Sequence, residues 1–329
     1  MKLIKKNGLL MLCMMLLVVN VSAETSYWQR PVVKAFIDEM VKKYDFDKDE
    51  LVNWFSASQK RQSIIDAMMR PAEAKPWKQY RPIFLTDKRI TKGVAFWQKN
   101  RDLLAKAEAQ FGVPAEIIVA IIGVETYYGR QIGRYPVIDA LATLGFDYPP
   151  RASFFKKELE QFLLLARDEK LAMNQTLGSY AGAMGMGQFI PSSYRRYAVD
   201  FDNDGQRNLW TTSDAIGSVA NYFKRHGWRE GEQVIVRADA NGRKHQAEGR
   251  MMKPHRSVES FRDQGLSFEK NITTKNDQAV LVKLNGKEGS EYWIGLHNFY
   301  VISRYNHSPK YSMAVFQLSQ EIKHRMQGR

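Results

Sequence analysis

PAEIIVAIIGVETYYGR, Pro114 to Arg130, places one carboxylate, Glu125, at the end of a nearly unbroken apolar run. Pro114 suits the first turn of a helix and Gly129 its end. Ile117, Ile118, Val119, Ile121, Ile122 and Val124 fall on all sides of that helix, so it is predicted to be a core helix. Glu125 emerges at the C-terminal end, where burial and the helix dipole both disfavour negative charge. A carboxylic acid kept protonated near neutral pH is what glycoside cleavage needs, because the leaving oxygen must receive a proton. Taken alone, the stretch equally admits a structural glutamate paired with Arg130 or Arg134.

The rest of the chain narrows this choice. Residues 1–23 carry Lys2, Lys5 and Lys6, then an apolar run from Gly8 to Val19, then Val21-Ser22-Ala23, the pattern of a secretory signal peptide. That run is shorter than the roughly twenty residues of a membrane-spanning helix. The only cysteine, Cys13, lies inside it with Leu12 before it, so a lipid anchor there is not expected. The mature chain then has no disulfide, and a periplasmic location is expected. The net charge of +14 becomes +11 once the three signal lysines are removed (14 − 3). A basic surface behind a secretion signal points to an acidic polymer such as cell wall rather than nucleic acid. Six histidines without metal spacing argue against zinc chemistry, and the absence of a mature cysteine argues against thiol chemistry.

Along the chain, residues 24–110 read as a helical domain. Val33, Phe36, Ile37, Met40 and Val41 make a helical stripe, and DKDELVNWF has the look of a capped helix start. Pro71, Pro76 and Pro82 interrupt residues 68–85, which are expected to wrap over the surface without one regular element. TDKRITKGVAFWQKNRDLLAKAEAQFG is expected to be one long helix stopping near Gly112. Residues 111–228 hold the chemical motifs and a further helix from Ser153 to Glu169. Residues 229–291 alternate in strand fashion, with Asn-Gly turns at 241 and 285, and read as a small antiparallel β insertion. Residues 292–329 return to helical, aromatic-rich sequence. The fold class is α+β, mainly α.

GSYAGAMGMGQ, Gly178 to Gln188, lets backbone approach a neighbour closely. No Gly-Lys-Ser/Thr follows, so it is not a phosphate loop. Either it is a tight helix crossing or it is one wall of a cleft, with Ser179 and Gln188 offering hydrogen bonds to sugar. Asp200, Asp202 and Asp204 occupy positions one, three and five of an EF-hand-type loop, with Gly205 at six. Thr211 stands where position twelve calls for glutamate; Asp214 is positioned to close the shell, with Gln206 supplying its backbone carbonyl. A structural calcium ion is expected, and no organic cofactor. Tyr127, Tyr128, Tyr222, Tyr305, Tyr311, Trp228 and Trp293 exceed what a plain core requires and are of the kind that lines sugar clefts.

GVETYYGR, GSYAGAMGMGQFIPSSY, DFDNDGQRNLW with DAIGSVANYFKRHGW, and FYVISRYNHSPKY together resemble the membrane-bound lytic murein transglycosylase B family, from about Trp28 to the C-terminus. The resemblance implies a lysozyme-like fold and non-hydrolytic cleavage of the β-1,4 bond between N-acetylmuramic acid and N-acetylglucosamine. It implies Glu125 as the single catalytic acid; Ser179, Gln188, Tyr80, Tyr222, Tyr305, Asn306 and Tyr311 as substrate contacts; and Asp200, Asp202, Asp204, Gln206 and Asp214 as the calcium loop. The family pattern has paired arginines after the Tyr-Pro where this chain reads Pro150-Arg151, so Arg151 alone keeps that contact. The implied partners are peptidoglycan strands and cell-wall synthesis or remodelling proteins, with no nucleic acid; a soluble periplasmic monomer is expected. A hydrolytic muramidase and a non-catalytic wall-binding protein are the alternatives. Asp139 and Asp147 stay open as second carboxylates.

Overall fold

The computed structural model describes residues 27–70, 74–246, 252–272, 274 and 277–328. The signal segment 1–23, with Cys13, lies outside them. Helices α1 (Pro31–Tyr44), α2 (Lys48–Ala57), α3 (Gln62–Met68), α4 (Trp77–Phe84), α5 (Asp87–Lys99) and α6 (Arg101–Phe111) precede the apolar run, which forms α7 (Ala115–Thr126). Strand β1 (Tyr135–Pro136), α8 (Val137–Asp147), α9 (Ala152–Asp168), β2 (Leu177–Gly178), α10 (Pro191–Tyr197) and α11 (Thr212–Arg225) follow. Then come β3 (Ile235–Ala238), β4 (Arg256–Ser257), α12 (Val258–Asp263), β5 (Gln278–Asn285), β6 (Ser290–Gly295), α13 (His297–Ser303) and α14 (Pro309–Met326). The chain is mainly helical with a small antiparallel sheet. Among the described residues no single helix is long and apolar enough to cross a membrane.

Helix α7 is buried on every side, as its all-round apolar pattern requires, and packs against α5, α6, α11 and α14. Its one early acid, Glu116, accepts from Lys323 Nζ at 2.7 Å and so tolerates burial. The stripe of α1 is the expected one except that Val41 is only half-buried. The Asp47 carboxylate caps α2 by accepting from Glu50 N at 2.8 Å.

Three expectations are corrected. The segment from Thr86 to Gly112 is two helices, not one. Asn100 breaks it, its Nδ2 donating to Phe96 O at 2.8 Å, a local bond that competes with helix continuation. Residues 77–84 are not a surface wrap but helix α4, whose Trp77 and Tyr80 are each 1% exposed. The sheet, ordered β3-β6-β5-β4, explains why. One face (Val236, Ala238, Leu281, Ile294) packs on Val258 and Phe261 of α12. The other (Ile235, Val280, Val282, Leu284) needs cover too, and receives Trp77 and Tyr80 of α4 with Met313 and Ala314 of α14. Finally, strand pairing runs through Gly295, so Tyr292 to Gly295 belong to the sheet rather than to the helical return.

Candidate active site

Helix α7 ends at Thr126, earlier than expected, and three successive residues then take the left-handed conformation: Tyr127 (φ 52°), Tyr128 (φ 62°) and Gly129 (φ 79°). For tyrosine this costs on the order of 1 kcal/mol or more each, and such strain persists only where the surroundings over-determine it. Here they do. Tyr128 N donates to Ile122 O and its hydroxyl to Arg89 O at 2.9 Å. Its ring fills the notch over Gly123, where a Cβ would stand 2.7 Å from it. Arg89 donates to Gly123 O and stacks 4.7 Å over the Tyr127 ring. Thr126 Oγ1 donates to Met186 O at 2.9 Å, tying the helix end to the glycine loop.

Glu125, half-buried, is held in this clamp. Tyr311 of α14 donates its hydroxyl to Glu125 Oε1 at 2.5 Å. Burial, and then the Glu125 charge, push the Tyr311 and Tyr305 phenols well above their ordinary range, so both remain donors at any working pH. The Tyr311 hydroxyl thus fixes the orientation of the Glu125 carboxyl. Tyr311→Phe is therefore expected to keep the fold and lower kcat by roughly 10- to 100-fold, the range for one hydrogen bond to a charged group; unchanged turnover would remove Tyr311 from the mechanism.

The groove near this acid is built from several separate stretches. A cavity of about 540 Å³ is lined by Arg151, Gln188, Phe189, Tyr222, Tyr305 and Asn306 among others. A second of about 460 Å³, lined by Ser179 and Gly133, shares Tyr180 and Gln188 with it, so the two form one trough. The Tyr305 hydroxyl donates to Gly187 O at 2.5 Å and the Tyr222 hydroxyl to Arg304 O at 2.6 Å. The rings of Tyr222 and Tyr305 meet at 4.7 Å. Arg151 stacks 4.2 Å over Phe154. The glycine loop is not a helix crossing, since residues 179–190 form turns and bridges; a Cβ on Gly185 would stand 2.3 Å from Leu209 of another loop, and Tyr180, Ala181 and Gln188 face the trough. Two predicted contacts differ in detail. Gln188 gives its amide hydrogens to Ile132 O and Gly185 O, which leaves Oε1 as the group able to meet a sugar. Tyr80, Tyr311 and Glu125 are in the lining of neither cavity; Tyr311 reaches Glu125 from behind Tyr305, and Tyr80 is buried beside Tyr311, acting on that phenol electrostatically.

The open carboxylates have other duties. Asp139 accepts from Gln59 N and Arg61 Nε, and Asp147 takes Arg30 in a two-pronged pair plus the Tyr27 hydroxyl. Glu158 accepts from Ser192 N and Oγ at the start of α10.

In the acidic loop, carboxylate oxygens of Asp200, Asp202 and Asp214 come within 4.8 Å of one another. Asp204 stays outside this cluster; it accepts from Gln206 N at 2.8 Å instead. Asp200 accepts from Asp204 N and Gly205 N, folding the loop around itself, and Asp214 accepts from Phe201 N and Asn208 N. Burial raises the Asp214 pKa, its two amide donors lower it, and the charges of Asp202 and Asp200 raise it. Three converging hard-oxygen donors fit a calcium ion.

The sequence profile of the transglycosylase SLT domain matches residues 28–320. The chain belongs to that family. It is 47% identical over 304 residues to membrane-bound lytic murein transglycosylase B of Escherichia coli K12, covering 89% of this chain and 82% of that protein. The crystal structure of soluble lytic transglycosylase SltB1 from Pseudomonas aeruginosa superposes with a TM-score of 0.82 at 50% identity, covering 91% of this chain and all of that one. Escherichia coli lytic transglycosylase Slt35, solved in complex with calcium, gives 0.82 at 46% identity, covering 90% of this chain and 94% of that one. This lytic transglycosylase thus has the lysozyme-like fold of its relatives.

Composition could not reveal the transglycosylase's positioning groups. Arg89 sits in an unremarkable context, and only tertiary packing brings it to the end of α7, where Thr126 in turn finds Met186 O. His226 is a further case. It stacks 4.0 Å from Tyr222 at the trough's edge, and burial holds it below its ordinary 6.5, opposed by the Tyr222 carbonyl. As pH falls through about 6.5 the unfolded chain takes this proton first, so stability is lost on acidification. The melting temperature is expected to drop between about pH 7 and pH 5.5, and to drop less in His226→Phe.

Proposed function

We propose that this protein cleaves the β-1,4 bond between N-acetylmuramic acid and N-acetylglucosamine in peptidoglycan, with Glu125 as acid and then base, forming 1,6-anhydromuramoyl ends. The carrying observation is one carboxylate, held by Tyr311 at the end of a core helix near Tyr305 of the trough, while Glu116, Asp139, Asp147 and Glu158 are each engaged by donors elsewhere in the fold. Protonated Glu125 donates its proton to the glycosidic oxygen as the C1–O bond breaks through an oxocarbenium-like state. The carboxylate then takes the proton of the muramoyl C6 hydroxyl, whose oxygen bonds to C1. An intramolecular nucleophile reaches effective molarities on the order of 10⁵ M or more, so no second carboxylate is needed to activate water. Ser179, Gln188, Arg151, Tyr222, Tyr305 and Asn306 hold the glycan, and Tyr80 backs Tyr311. Mass spectrometry of digested sacculi tests this: anhydro-muropeptides are expected, and reducing-end muramic acid would make the enzyme a hydrolytic muramidase.

Asp200, Asp202 and Asp214 hold a structural calcium ion that pins the loop carrying Leu209 against the glycine loop. Calcium should raise the unfolding free energy by RT ln(1 + [Ca]/Kd), about 2.7 kcal/mol at a hundredfold excess over Kd, and the melting temperature with it. A melting curve indifferent to chelator would remove the ion. The segment 1–23 directs the chain to the periplasm.

A further inference from the structure

Every predicted sugar contact that lines the trough lies at residue 151 or later, from Arg151 to Asn306. A further wall comes from the N-terminal helices. Ala67 of α3 lines the smaller cavity and Met68, the last residue of that helix, lines the larger. Tyr180 of the glycine loop lines both. Ala67 and Met68 are neighbours in the chain, so the end of α3 and Tyr180 meet the trough where its two halves join.

Helix α3 is fixed from its start. Arg61 N donates to Thr143 Oγ1 at 3.0 Å, the Tyr135 hydroxyl donates to Ser63 Oγ at 3.3 Å, and Ile64 is fully buried in the core. Exposure then rises toward the trough: Met68 is half-buried against the core, and Met69 is 62% exposed. Tyr180 is 38% exposed, the most open of the trough's aromatic rings among the described residues. A ring left this open offers its face to the apolar side of a sugar, and an unbranched thioether adapts its shape to what lies beside it.

We propose that Met68 and Tyr180 grip one sugar of the strand where the two halves of the trough join. They are thereby specificity-determining residues, favouring strands long enough to occupy both halves. The glycan as occupant rests on the proposed function; the pairing of α3 with Tyr180 across the junction does not. A disaccharide can fill one half without crossing the junction, whereas a hexasaccharide must cross it.

The test is a double-mutant cycle by titration calorimetry, with Glu125→Gln as the background so that no turnover enters. Met68→Ser is expected to weaken binding of a peptide-free murein hexasaccharide about fivefold, and Tyr180→Ala about tenfold. The double variant should lose about tenfold and not the roughly fiftyfold of two independent contacts, because both residues act on one sugar. Disaccharide binding should change less than about twofold in each variant, and Met69→Ser, which lines neither cavity, should bind the hexasaccharide as the background does. Unchanged hexasaccharide binding in either single variant, independent losses in the double variant, an equal loss for the disaccharide, or the same loss in Met69→Ser would overturn the grip. With glutamate restored at 125, Met68→Ser should raise KM for long strands and leave kcat in place. A coupled cycle in a protein whose wild type releases no anhydro-muropeptides would refute the proposed reaction and leave the grip standing.

Discussion

Glu125→Gln is expected to lower peptidoglycan cleavage by about 10³-fold or more, near the upper part of the range for removing a general acid and base. The amide keeps the shape of the side chain and an oxygen that can accept from Tyr311, so the clamp at the end of α7 stays assembled. What is lost is the proton for the leaving oxygen and the base for the C6 hydroxyl, two steps that share one group. Binding to sacculi should stay within about threefold, because the trough's contacts come from other stretches. Release of anhydro-muropeptides, followed by mass spectrometry, measures the first quantity and a pelleting assay the second. Persistent cleavage by this variant would mean that another carboxylate does the chemistry.

Asp139→Asn is expected to behave in the opposite way. Asp139 is 2% exposed and ties α8 to the chain between α2 and α3 by accepting from Gln59 N at 3.0 Å and Arg61 Nε at 2.9 Å. The replacement sets an amide where a charged acceptor met a guanidinium. Arg61 is 39% exposed and can rehydrate, so the expected loss is about 2 kcal/mol rather than the full cost of an orphaned buried charge. That corresponds to a fall of roughly 4–8 °C in melting temperature. Cleavage at a temperature where the variant is folded should stay within about twofold. A hundredfold loss of turnover with an unchanged melting curve would instead make Asp139 the second catalytic acid.

Much of the active site was legible because its signals are local. An acid ending an apolar helix, and alternating aspartates before a glycine, announce themselves within about fifteen residues. The duties of Asp139 and Asp147 were not legible, because their partners Arg61 and Arg30 lie 78 and 117 positions away. Helix α4, which carries Tyr80, was read as a surface wrap for a related reason. Its stretch is rich in proline and reads as surface, but the sheet more than 150 residues later presents a second apolar face, and α4 is what covers it. The single long helix expected from Thr86 to Gly112 failed at Asn100, where a side-chain bond to the backbone outweighed a continuous apolar pattern.

By itself the sequence determined that α7 is a core helix, that Glu125 ends it, and that the acidic loop can hold a cation, because periodicity and spacing are properties of neighbouring residues. Tertiary structure decided that Tyr311 holds Glu125, which tyrosines line the trough and which stand behind it, and that Asp204 lies outside the acidic cluster. These are matters of which distant surfaces meet, and burial against a partner from another part of the chain leaves no mark in the residues beside it.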